Sequence, residues 1–206
     1  MSTFSNTDTG DKPADPYTQA NKDTTVSTQD KIQALDKFVN ACKFGMMTTR
    51  DQATGKLVSR CMAVTAEESH GVDYLFFTNT ESHKTDELKG DPHVNIAFLD
   101  ASGQWASISG TAGVETDRGL VRKYYSPTLR AWLGDLGDGT HDGSQDDPRI
   151  GVIRVKMATA TYAITDRTLL GRLAEVAKGM VTGEQANVNK IREITEEEVA
   201  TRRSTA

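Results

Sequence analysis

Six runs of alternating or continuous apolar character, most of them joined by turns too short for a crossover helix, constrain this chain most. They cover residues 44–49, 56–65, 72–79, 93–99, 105–115 and 150–165. In the second run Val58, Arg60, Met62 and Val64 fall on one face, because side chains alternate across a strand. Residues 50–55, 69–71 and 101–103 carry the Gly, Asp and Ser that reverse a chain within a few positions. Parallel neighbours need a connection of about a dozen residues or more, so these pairs are antiparallel. The predicted fold is mainly β with helices (α+β), five or six antiparallel strands in a barrel-like meander. A barrel also removes the free edges that a small sheet must otherwise protect.

Helical periodicity fills the gaps. Behind Ser27-Thr28, the residues Ile32, Leu35, Phe38, Val39 and Cys42 form one apolar stripe. Residues 80–89 read as a short helix closed by Gly90, and 117–125 as another. Pro127 opens a third through Trp132. Leu170, Leu173, Val176 and Ala177 suggest a last one.

Only 36% of the 206 residues are hydrophobic, whereas packed domains run to about 45–50% with Gly counted. The deficit sits at the ends. Residues 1–27 repeat at neither period 2 nor 3.6 and read as a disordered or loosely docked arm. Residues 183–206 read as a polar tail, leaving 28–182 as the expected folded unit.

The 24 basic and 29 acidic side chains sum to −5, which argues against a nucleic-acid partner. No run approaches the ~20 apolar residues of a membrane span, and the first residues lack the features of a signal peptide. Cys42 and Cys61 are too few for a disulfide scaffold. A cytoplasmic protein without a membrane partner is expected.

The richest chemistry lies in Phe76-Phe77-Thr78-Asn79-Thr80-Glu81-Ser82-His83-Lys84-Thr85-Asp86-Glu87-Leu88, where a strand runs into a helix start. Free first-turn amides and the positive end of the helix dipole favour an anion there. Ser82 adds a hydroxyl and Lys84 a charge, as a phosphate monoester requires. An ordinary capped helix with exposed His83 and Lys84 is the plain alternative. His70, His83, His93 and His141 have no HxxxH or HExxH spacing, so no metal is expected. The Gly/Asp-rich stretch 134–148 lacks the alternating ligands of a calcium loop. Taken alone, Arg60 reads as a surface cation, Cys61 as a small strand residue, and Trp105 and Trp132 as core or interface.

The run FFTNTESHKTDEL resembles the phosphate segment of the pyridoxamine-5′-phosphate-oxidase-like flavoproteins, where Tyr/Phe-Thr-Asn precedes Ser-x-Lys. Other segments follow in matching order: KFGMMTTR, VSRCM, VNIAF and WASISGTA. The general stress branch and its fungal blue-light-induced members are the most similar, sharing also TGDKPADP and GDLGDG.

The resemblance implies a six-stranded antiparallel split β-barrel of the FMN-binding type, which forms a homodimer with FMN at the interface. It implies a phosphate held by Ser82 and Lys84, with His83 standing where Arg is frequent. Arg60, Cys61 and Met62 would lie along the ring and ribityl chain, and Phe77, Thr78 and Asn79 at the ring edge. Trp105 would come from the partner subunit, in the place of an oxidase Gln, with Trp132 nearby. The Arg-x-His pair of the true oxidases is missing from 164–173, so pyridoxamine-phosphate oxidase activity is not expected. An FMN-dependent oxidoreductase of unknown small substrate is implied, with no catalytic residue named. The alternative is a non-enzymatic flavin-binding or flavin-buffering stress- or light-response protein.

Overall fold

In the computed structural model, which describes residues 15–165 and 169–205, one curled antiparallel sheet organises the chain. Its strands are β1 (Phe44–Arg50), β2 (Leu57–Ala63), β3 (Ala66–Glu68), β4 (Asp73–Asn79), β5 (His93–Leu99), β6 (Trp105–Glu115), β7 (Ile150–Ile164) and β8 (Lys190–Ile194). Their order is β2-β1-β5-β6-β7-β4-β3, with β8 also paired to β7. The long β7 explains the branch. β6 follows one of its edges from end to end, while β4 takes residues 150–156 of the other and β8 residues 160–164.

Eight strands replace the six predicted from sequence. β3 is three residues, Ala-Glu-Glu, too short and polar to show a period. β8 lies in the segment read as a polar tail, where only Ile191 and Ile194 turn inward.

The helices are α1 (Pro16–Asn21), α2 (Thr28–Cys42), α3 (His83–Gly90), α4 (Arg118–Tyr124), α5 (Arg130–Leu133), α6 (Leu169–Thr182) and α7 (Glu196–Ser204). The stripe of α2 (Ile32, Leu35, Phe38 and Val39) is buried in the main core with Tyr74, Phe76, Ile96, Phe98, Ile108 and Tyr162. Each such side chain contributes about 1.5–3 kcal/mol by leaving water. Ser27 caps α2 by accepting from the Asp30 amide at 3.2 Å. A second layer lies across the sheet, where Leu75, Val121, Ile150 and Val152 meet Phe77, Leu120, Tyr124, Tyr125 and Leu133. Between Ser109 and Gly110 the β6–β7 register shifts by a bulge. A Cβ at Gly110 would lie 2.1 Å from the Lys156 carbonyl oxygen, so only glycine fits.

The described segments that flank the predicted folded unit are tied to this body. Asn21 is buried, and its Oδ1 accepts from the amides of Val188 and Asn189, both at 3.1 Å. Thr195 and Glu198 form a capping box on α7. Glu198 also accepts from Lys31 at 2.7 Å and Thr28 at 2.9 Å, which joins α7 to α2. Residues 1–14 of the predicted arm lie outside the described residues.

The 134–148 loop is pinned by a buried pair. Arg149 Nη2 donates to Asp147 Oδ2 at 2.6 Å and to the Gly134 carbonyl at 2.9 Å. Among the described residues no helix is long and apolar enough to cross a membrane.

Candidate functional site

The junction of β4 and α3 carries the chemistry. Asn79 ends β4, and its Oδ1 accepts from the Glu81 amide at 2.8 Å, which turns the chain toward the helix. Ser82 stands at the N-cap but donates from Oγ to the Asn79 carbonyl at 2.7 Å instead of capping by its side chain. The amides of His83 and Lys84 have no intrahelical acceptor at these first positions. Lys84 is half-buried and folds back over the turn. Its Nζ donates to Thr78 Oγ1 at 2.8 Å and to Ser82 Oγ at 2.9 Å. Burial pushes the Lys84 ammonium below the usual lysine range, and the nearby Arg60 guanidinium pushes the same way. No carboxylate pairs with Lys84 among the described residues.

Arg60 approaches from β2 and is strongly paired. Its Nη2 donates to Glu87 Oε1 at 2.6 Å and its Nη1 to Glu87 Oε2 at 2.8 Å and Thr49 Oγ1 at 2.9 Å. Thr49 donates in turn to Glu87 Oε2 at 2.6 Å. Glu87 is buried, and Arg60's hydrogen bonds hold its carboxyl below the usual range. Sequence reasoning missed Glu87 and Thr49. The one available signal was the placement of Glu87 beside Leu88 and after Thr85, on the inward face of α3.

His83 is exposed on the same turn. Its Nε2 lies 3.1 Å from Asp51 Oδ2 and 3.8 Å from Glu87 Oε1. Asp51, in the β1–β2 turn, also escaped the sequence reading, because 32 positions separate it from His83.

The remaining sequence-predicted residues divide between the sheet faces. Met62 shares Arg60's face and enters the main core. Cys61 points the other way and is exposed. Thr78 is buried beside Lys84, whereas the Phe77 side chain packs into the outer layer under α4 and α5. Trp105 begins β6 opposite Leu99. It lies on the outward face that also carries Phe44, Met46, Cys61 and Leu99. Trp132, on α5, is 87% exposed. The structure therefore brings together Arg60, Thr78, Asn79, Ser82, His83 and Lys84. It brings neither tryptophan to them within one chain.

The family model described as "Pyridoxamine 5′-phosphate oxidase like" matches residues 30–187. The chain belongs to this pyridoxamine 5′-phosphate oxidase-like family. It is 61% identical to Protein bli-3 of Neurospora crassa over 202 residues, which cover 98% of this chain and 97% of that protein. Two solved structures share the fold of this family member. One is a general stress protein 26 from Jannaschia, with TM-score 0.60 and 20% identity over 82% of this chain and 99% of that one. The other is the general stress FMN/FAD binding protein of Xanthomonas citri, with TM-score 0.53 and 22% identity over 69% and 91%.

Proposed function

We propose that this family member binds FMN and that Lys84, Ser82 and the first-turn amides of α3 hold the flavin phosphate. One observation carries the reading. Lys84 is a half-buried cation with two hydroxyls at its head and no carboxylate partner among the described residues. A phosphate supplies the missing negative charge and accepts charge-assisted hydrogen bonds. It also relieves the repulsion between Lys84 and Arg60. The donor set of ammonium, hydroxyl and backbone N–H groups fits a phosphate monoester well.

Arg60 supports the phosphate from behind, with its charge shared by Glu87. Thr78, Asn79 and Cys61 border the ribityl chain and ring in this proposal, and Phe77 and Met62, whose side chains are packed into the two apolar layers, contribute only through their backbones. Bound FMN would supply hydride or electron transfer to a small partner, while the chain binds and orients it.

The same proposal includes a homodimer. Phe44, Met46 and Leu99 are exposed at 57, 43 and 72% on the outward sheet face next to Trp105. A second copy covering that face would bring its own Trp105 toward the flavin, and two-fold pairing is the commonest assembly.

A flavin binder without turnover is the second reading. Glu87, the carboxylate that acts on Lys84 electrostatically, is held ionised by Arg60, which leaves it poorly suited to proton transfer. Two measurements on the purified protein decide. An absorbance spectrum with and without added FMN tests binding, and a protein that neither carries nor takes up flavin rejects both readings. Repeated reduction by a nicotinamide cofactor and reoxidation by an added acceptor would establish turnover. Its absence leaves the binding role.

A further inference from the structure

We propose that Asp51, His83 and Glu87 form a site for one divalent transition-metal ion where the β1–β2 turn meets α3. His83 Nε2 lies 3.1 Å from Asp51 Oδ2 and 3.8 Å from Glu87 Oε1, and all three donor atoms fall within 4.8 Å of one another. Ligands about 2.1 Å from a tetrahedral zinc ion stand roughly 3.4 Å apart. The two spacings to His83 bracket that value. Among the described residues no other group of three His, Cys, Asp or Glu side chains brings its donors so close.

The surrounding hydrogen bonds orient the ligands. Asp51 Oδ1 accepts from the Thr54 amide at 2.7 Å and from Thr54 Oγ1 at 2.8 Å, so Oδ2 is turned toward His83. Glu87 Oε2 accepts from Thr49 and Arg60 Nη1 and its Oε1 from Arg60 Nη2 at 2.6 Å, which fixes the carboxylate plane; the second lone pair of Oε1 is the one offered to the cluster. Outer hydrogen bonds of this kind set ligand direction in metal sites. His83 and Glu87 are four residues apart, on one face of α3. Thr54's hydrogen bonds, reinforced by His83, hold Asp51 down to about 2, and those of Arg60 keep Glu87 low. Both carboxylates are therefore anionic at neutral pH. The exposed imidazole edge gives an ion a path from solvent. One nitrogen and two oxygens suit zinc and its first-row neighbours and leave a position for water.

This site stands independently of flavin binding, and its test uses zinc alone. The full-length protein, stripped with a chelator and dialysed, is titrated with zinc chloride against a chromophoric chelator of known affinity. One ion per chain with a Kd at or below about 10 μM is expected. Asp51→Asn should weaken uptake at least tenfold. His83→Arg removes a ligand and places a guanidinium beside Asp51 and Glu87, so it should fold and lose the site. Thermal melts establish that each variant folds, and His83→Arg decides if Asp51→Asn does not. Zinc uptake unchanged in His83→Arg overturns the proposal. So does a wild-type Kd weaker than about 100 μM.

Discussion

Arg60 and Glu87 meet in a two-pronged pair, at 2.6 Å and 2.8 Å, with the carboxylate sealed against solvent. Removing one partner of such a pair strands the other, which costs about 3–5 kcal/mol. Arg60→Ala should therefore destabilise the fold by about 3 kcal/mol in urea denaturation without any flavin present. An exposed cation serving only a ligand would change stability by under about 0.5 kcal/mol.

Lys84 holds the position that matters most for affinity. Loss of a charge-assisted hydrogen bond costs about 1.5–3 kcal/mol, or roughly ten- to a hundredfold in Kd. Lys84→Ala should weaken FMN binding by that factor while leaving the thermal melt of the flavin-free protein within a few degrees. Unchanged affinity would move the phosphate elsewhere.

A pH effect follows from Asp36, which accepts from Tyr74 Oη at 2.8 Å. Burial pushes its carboxyl up to about 7, against 3.8 ordinarily, with Glu67 adding to the rise. Between about pH 4 and pH 7 the folded chain keeps a proton that the unfolded chain releases. Stability from this group is thus full below pH 4, falls as pH rises, and is lost above about 7. Asp36→Asn should flatten that slope, and melting temperatures from pH 4 to pH 8 will measure it. A slope identical to wild type would contradict the assignment.

Much of this was legible in the sequence, for definable reasons. Thr78, Asn79, Ser82 and Lys84 lie within seven positions, so one strand-to-helix junction places them together. Period-two alternation by itself separates Arg60 and Met62 from Cys61. The Arg60–Glu87 pair and the Asp51–His83 contact join positions 27 and 32 apart, and no local pattern encodes such distances. β8 was hidden because a strand laid on one end of β7 needs only Ile191 and Ile194 to bury. The buried Arg149–Asp147 pair that fixes the Gly/Asp-rich loop has no counterpart in the loop's composition, since nothing in the sequence tells a buried ion pair from an exposed one.

The outward sheet face should govern assembly. Phe44→Arg with Leu99→Arg places two charges on a surface that the proposed dimer buries. Sedimentation should then change from two chains to one, and FMN affinity should fall with it. A wild-type protein that sediments as a single chain would remove both the dimer and the shared site.

The most direct measurement compares FMN with riboflavin, which has the same ring and lacks the phosphate. Titration of the flavin-free protein with each, followed by fluorescence quenching, isolates what Lys84, Ser82 and the α3 amides contribute. FMN should bind at least tenfold more tightly, and the advantage should vanish in Lys84→Ala. Equal affinity for the two flavins, or no binding of either, would contradict the account.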